Sequence, residues 1–338
     1  MIFLSFYSNA QLTELTPDAK MYYALYNQAS DVLYIEKDTT KAIGLLEEAK
    51  TVYLNKIKFG FCSAIGRLKV LYLKTGKNKE AYDCMVLEIK QNSKGNDPKR
   101  MVPNKWLRND IYINFRESKY WTMYQDNFDS LTKDATKDLN WSLIAEYKGI
   151  GVADQLGRGG DFPSLIELSE DSLYDFNRVK VAMFKDIDRK ILVKQLEIIK
   201  DNGFLEYKDV GGKFSLNSMF LMHQFCACEK DSSKQWVYPY LDSLLLDKVY
   251  RGYYPPDMYA FHKDRSYTYL CQQDSLPQIY GHWVSNRSKE IIGELMDIEN
   301  IDELRANIGL GSFYVYCKGK GIELPEGYVI PKRYMNLE

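Results

Sequence analysis

From Met21 to about Lys90 the apolar positions recur with helical spacing: Tyr22, Leu25, Tyr26, Ala29 and Leu33, then Ala42, Leu45, Leu46 and Ala49, then Leu68, Leu71, Tyr72, Ala81 and Met85. Each run puts its apolar residues on one face, so the pattern predicts paired amphipathic helices. Breakers from Lys94-Gly95-Asn96-Asp97-Pro98 to Pro103 predict a loop, and helical spacing returns from about Trp106 to Tyr124. The densest breaker run, Gly157-Arg158-Gly159-Gly160-Asp161-Phe162-Pro163, predicts the boundary between a helical, repeat-like domain over 20–156 and a second domain over 162–334.

Beyond that boundary Ser164 to Asn177, Asp186 to Asp201, Leu216 to Cys228 and Trp236 to Val249 read as helices, the second ending at Gly203. Between Tyr259 and Tyr280 β-branched and aromatic residues flank Gln272-Gln273-Asp274-Ser275, which predicts a short hairpin. Asn300 with Glu303 reads as a capping box, Gly309 as a helix stop, and Gly319 with Gly321 as the end of the next helix before Pro325. The fold class expected is mainly α: repeat-like helical hairpins, then an α-rich domain with a short β-hairpin.

The 338-residue length allows two cores, and 45% hydrophobic with 27% charged residues is an ordinary globular composition. Lys plus Arg (45) nearly match Asp plus Glu (46), so no global field recruits nucleic acid. Charges interrupt every later apolar stretch, so no membrane span is expected. Met1 to Ala10 is apolar and ends small-x-small, like the tail of a secretory signal cleaved after Ala10, although a basic leader segment is missing. A periplasmic or secreted location follows if that segment works as a signal, and a cytoplasmic one otherwise. Six cysteines are too sparse for a disulfide scaffold, and Cys226-x-Cys228 lacks the two-residue spacer of redox and zinc motifs.

Two resemblances add to this reading. Leu71-Tyr72-Leu73-Lys74-Thr75-Gly76-Lys77-Asn78-Lys79-Glu80-Ala81-Tyr82 resembles the turn and second-helix entry of a tetratricopeptide repeat, with Asp38-Thr39-Thr40-Lys41-Ala42-Ile43 a weaker copy. Ala42 and Ala81 lie 39 residues apart against a period of 34, which argues for repeat-like hairpins without a regular array. A peptide or protein partner along those hairpins is the corresponding expectation. The second half, about Phe162 to Gly327, resembles an uncharacterised bacterial domain-of-unknown-function family, number six-six-two-four. The match rests on Asp186-x-Asp188-Arg189 with Leu196 to Phe204, on His223, on Asp264-Arg265 with Gln278-Ile279-Tyr280-Gly281, and on Asp297 to Leu310. The chain departs from the pattern at Met222, Leu205 and His282-Trp283, and the resemblance implies no activity.

The three histidines, His223, His262 and His282, share one window with Asp264, Arg265, Gln278 and Tyr280. A histidine near neutrality can act as general base, an Asp can fix its tautomer, and an Arg can fork a carboxylate or phosphate. His223, Asp264 and Arg265 are therefore the candidate catalytic set, and Gln278, Tyr280 and Gly281 the candidate ligand-binding set. Against this stands the blander reading of a core histidine and an internal ion pair holding the hairpin. No nucleophile sits in a recognised elbow motif, the spacings match no metal motif, and no cofactor is expected. Asp302 and Arg305, at i and i+3, read as structural, and Trp236 and Trp283 as core aromatics. Binding or scaffolding of an extracytoplasmic ligand or protein is the leading expectation; a hydrolase using His223 as base is the alternative.

Overall fold

The computed structural model describes residues 12–57, 62–91, 111–146, 149–150, 190–191, 193–203, 235–268, 276–285 and 288–335. The signal-like segment, the loop over 94–103, the glycine-rich boundary, Ser164 to Asn177, the segment of His223 and Gln272 to Ser275 lie outside the described residues.

Helix α1, Pro17–Asp31, begins where Thr16 leaves extended backbone, its Oγ1 accepting the Ala19 N–H at 3.4 Å with Pro17 at the first helical position. Helix α2, Thr39–Val52, is capped by Asp38, whose carboxylate accepts from Lys41 N at 2.9 Å. Each of these helices runs on into a five-residue π-turn, Val32–Glu36 and Tyr53–Ile57. Helices α3, Ser63–Lys74, and α4, Asn78–Lys90, are joined at Gly76, whose φ of +71° lets Lys77 N reach the Tyr72 carbonyl at 2.9 Å. Ala81 just inside α4 is fully buried, as close packing of the two helices requires. Helices α5, Ile113–Arg116, and α6, Lys119–Thr136, follow. Consecutive packing of α1 on α2, α2 on α3, α3 on α4 and α4 on α6 encloses one core around Leu46, Ile65, Leu68, Met85 and Phe115.

In the second half residues 193–202 are helical and end at Gly203, φ +73°. Helices α7, Val237–Tyr250, α8, Pro256–Thr268, α9, Ile301–Asn307, and α10, Phe313–Lys320, follow, with a final 3-10 turn at Lys332–Tyr334. The chain is mainly α. Among the described residues no helix is long and apolar enough to cross a membrane.

The expected β-hairpin is not formed among the described residues: Tyr259 to Thr268 is helical, and only isolated bridges, Gln278 with Leu295 and Val284 with Ile291, occur nearby. The reason lies in which face of α8 is buried. Tyr259, His262, Lys263 and Ser266 repeat at i, i+3, i+4 and i+7, but three of the four are polar, so the helical period is invisible to a hydrophobic pattern. Two local expectations also change. Asn300 precedes α9 without capping it, its amide donating instead to Asp297, and Trp236 is 44% exposed at the head of α7. Gly309, φ +87°, and Gly321, φ +66°, do terminate α9 and α10 in left-handed backbone.

The two halves pack against each other along α1. Thr16 N bonds to the Tyr250 carbonyl at 2.8 Å, Asn27 Nδ2 to the Gly309 carbonyl at 3.0 Å, and Tyr334 Oη to Asp31 at 2.9 Å.

Candidate functional site

The motif residues Asp264, Gln278, Tyr280 and Gly281 do come together, around one tight turn. Asp264, on α8 and fully inaccessible, accepts the N–H groups of Ile279 and Tyr280 on Oδ1 at 2.8 and 3.0 Å, and that of His282 on Oδ2 at 2.7 Å. Gln278 closes the other side: its amide nitrogen donates to the carbonyls of Trp283 and Ile292, and its oxygen accepts the Trp283 N–H at 3.0 Å. Arg305 on α9 completes the arrangement, donating from Nη1 to the Tyr280 carbonyl at 2.7 Å and from Nε to the Gly311 carbonyl at 2.9 Å. Gly281, φ +61°, has no room for a side chain, since a Cβ there would meet Phe313 at 2.6 Å.

Every oxygen of Asp264 and Gln278 is thus used to fold the turn. Burial pushes the Asp264 carboxyl up to about 6, opposed by its three backbone donors and by Arg305. Tyr280 is 8% exposed and packs against Tyr259, while Arg265 is half-buried on the last turn of α8. His262 is buried on the same helix with its ring edge to Phe261.

The turn delivers His282 to a second feature, a cleft of about 210 Å³ between the halves. One wall comes from the N-terminal helices: Tyr22, Tyr23 and Tyr26 of α1 with Arg67 of α3. The other comes from Asp257 at the start of α8, His282, Arg305, and Tyr316 with Lys320 of α10. Tyr22 and Tyr26 stack at 6.1 Å, and the Arg67 guanidinium lies 4.4 Å over the Tyr26 ring while donating to Ser30 Oγ. Opposite, the His282 ring stacks on Tyr316 at 4.6 Å, and the Arg305 guanidinium lies 4.8 Å from the same ring. Tyr316 Oη donates to the His282 carbonyl at 3.2 Å.

The charges of the cleft are unusual. Burial, then Arg305 and Lys320, hold the His282 imidazole well below its ordinary range, so it is neutral at physiological pH. Its Nδ1 is sealed from solvent and meets no hydrogen-bond partner among the described residues. Asp257 is solvent-exposed at the start of α8, yet crowding by the surrounding chain raises its carboxyl, against the N–H groups of Met258 and of Asp257 itself, Lys320 and Arg67. Burial keeps the Tyr26 and Tyr316 hydroxyls protonated, each pushed up to about 12 with a neighbouring arginine opposing. Arg67, Lys320 and Arg305 form no ion pair within 4.0 Å among the described residues.

The cleft offers aromatic rings, hydroxyls and cationic groups. The serines of the cleft, Ser30, Ser63 and Ser312, meet no histidine among the described residues: Ser30 Oγ donates to the Tyr26 carbonyl at 3.0 Å and Ser312 Oγ lies 3.5 Å from Asp302. Among the described residues no three His, Cys, Asp or Glu side chains converge as a metal would need. Reasoning from sequence missed this cleft because its two walls come from segments far apart in the chain, Arg67 and Asp257 being separated by 190 positions and Tyr22 and Lys320 by 298. The available signal was the tyrosine count of 27 and the Tyr22-Tyr23-x-x-Tyr26 stripe, which reads as core.

Comparison of the chain with family models, with curated proteins and with solved structures finds no match.

Proposed function

We propose that this chain is an extracytoplasmic binding protein that holds a small ligand in the cleft between α1, α3 and the segment from His282 to Lys320. The observation that carries the reading is that four distant segments supply aromatic hydroxyls and charged groups to one concavity, with Lys320 and Asp257 left without side-chain partners among the described residues. Unspent polar groups on an apolar, aromatic wall are what a ligand site needs to fix orientation. At about 210 Å³ the cleft lies below the roughly 300–1,000 Å³ of sites for drug-sized molecules, which favours a small metabolite over a peptide.

The hydrolase alternative draws less support. The carboxylate it would use to orient His223 already accepts three backbone N–H groups and has no solvent access. The resemblance of residues 162–327 to an uncharacterised family adds no reaction. Export rests on the apolar Met1 to Ala10 segment, and N-terminal sequencing of protein recovered outside the cytoplasm tests it.

The direct test is a panel of defined small metabolites screened by ligand-observed NMR, with hits titrated against the wild type, Lys320→Ala and Tyr34→Ala, Tyr34 being a further cleft ring whose centroid lies 5.9 Å from the Arg67 guanidinium. Saturable binding weakened by both substitutions is the expected result. Binding indifferent to both, or turnover of any panel compound that His223→Ala abolishes, overturns the reading.

A further inference from the structure

We infer that the ligand of this cleft is a small hydroxy- or amino-carboxylate, its carboxylate held by Arg305, Arg67 and Lys320 and its hydroxyl or ammonium by Asp257. This rests on the binding reading above and sharpens it to a chemical class.

Arg305 is 2% exposed yet has no anionic partner among the described residues. Two of its three nitrogens are spent on neutral carbonyls, Nε on Gly311 and Nη1 on Tyr280, and Nη2 bonds to no described residue. The acids nearest to it are committed elsewhere. Asp264 is taken up by three backbone N–H groups. Asp302 accepts the Phe313 N–H at 2.6 Å and the Tyr328 hydroxyl at 2.8 Å. A buried guanidinium is normally paired with a carboxylate or phosphate, because its desolvation is otherwise uncompensated. Here the guanidinium lines a cleft, so the missing anion fits best as a ligand group.

The remaining charges agree in sign and number. Arg67 and Lys320 add two further cations without an ion pair among the described residues, against Asp31 and Asp257. Asp31 is already bonded to the Tyr334 hydroxyl and lies 4.0 Å from Arg333. With His282 neutral, three cations face two acids, a surplus of one positive charge. That suits one carboxylate better than a phosphate dianion, which Asp257 would repel. Asp257 has no side-chain partner and only backbone N–H donors, so it is free to accept from a hydroxyl or an ammonium. The carbon skeleton between the two heads would lie along the Tyr22, Tyr26 and Tyr316 rings, which offer apolar faces.

Calorimetric titration of the full chain with five matched probes tests this: phenylalanine, 3-phenyllactate, 3-phenylpropionate, phenethylamine and phenyl phosphate. The expected order places phenylalanine or 3-phenyllactate first, 3-phenylpropionate about tenfold weaker, and phenethylamine and phenyl phosphate weaker still. Lys320→Ala and Arg67→Ala should each weaken every carboxylate about tenfold. Asp257→Asn should weaken phenylalanine and 3-phenyllactate while leaving 3-phenylpropionate unchanged. Circular dichroism checks that each variant is folded, and these three positions are chosen because, unlike Arg305, none of them bonds to the backbone of a distant segment. Phenethylamine or phenyl phosphate binding as well as the carboxylates overturns the inference, as does carboxylate binding indifferent to Arg67 and Lys320. A neutral or cationic compound that binds saturably and is lost in Tyr34→Ala would keep the cleft as a binding site while removing the carboxylate. Failure of all five probes removes the class.

Discussion

The ring of Tyr23 lies directly over the backbone of Gly309: a Cβ on that glycine would meet Tyr23 Cδ2 at 2.4 Å, and Gly309 itself stands at φ +87°. This contact seats α1 against the C-terminal segment and forms one wall of the cleft. Gly309→Ala should therefore cost twice, about 1–2 kcal/mol for left-handed backbone and about 1–3 kcal/mol for overpacking. Gly76→Ala is the control, because Gly76 is also left-handed but has nothing within 4 Å of its Cβ position; it should cost only the first amount. Urea unfolding compares the two. Equal losses would mean that Tyr23 gives way freely and that the two halves are loosely joined.

A second test concerns the core of the N-terminal helices. Lys69 and Glu88 pair at 2.8 Å with side chains only 10% and 8% exposed. Removing one partner of such a pair strands the other, so Glu88→Ala should lose about 3–5 kcal/mol. Replacing both with apolar residues of similar volume, Lys69→Met with Glu88→Leu, should recover most of that loss. If the double variant is no more stable than Glu88→Ala, the pair contributes through something other than charge compensation.

What the chain's pattern made readable, and what it hid, follows from where each residue finds its partner. The α3–α4 hairpin was legible because everything that defines it is local: the apolar period of Leu68, Leu71 and Tyr72, the left-handed Gly76 and the small Ala81. Helix α8 was not, because its buried face carries His262, Lys263 and Asp264, which a hydrophobic period cannot register. The motif residues Asp264, Gln278 and Tyr280 could be picked out as a group, yet sequence could not say that Asp264 and Gln278 spend their polar atoms on their own turn. Arg305 was read beside Asp302 on i, i+3 spacing; the structure sends its donors to carbonyls at Tyr280 and Gly311 instead. The cleft was least legible, since contacts such as Asn27 with Gly309 span 282 positions.

The thiols offer a third prediction. Cys62, Cys84 and Cys317 are unpaired and almost inaccessible, and burial raises them to about 11, 12 and 12. Thiolate is the reactive form, so all three should resist iodoacetamide in the native protein at mildly alkaline pH and label promptly in denaturant. Peptide mapping by mass spectrometry reads each site separately. Rapid native labelling of Cys62 would reveal local opening of the α1–α3 core, and with it of the cleft's tyrosine wall.

The last prediction turns on which force wins at Asp264. Burial raises its carboxyl to about 6, while three backbone N–H donors and Arg305 pull the other way. A carboxyl whose folded value lies above its unfolded one, about 3.9, binds its proton more tightly in the folded state, so its stabilising contribution is full at low pH and is lost as pH rises through 6. Asp264→Asn removes this titration while keeping the side chain's size. The stability of the wild type minus that of Asp264→Asn, measured by urea unfolding across the range, should thus be largest near pH 4. It should fall by on the order of 2 kcal/mol towards pH 7 and stay level above it. Taking the difference cancels the other titrating groups, which both proteins share. A difference that grows with pH would mean that the N–H groups of Ile279, Tyr280 and His282 outweigh desolvation. The turn carrying His282 into the cleft would then be held by a stable carboxylate, and would tighten as pH rises through the same window.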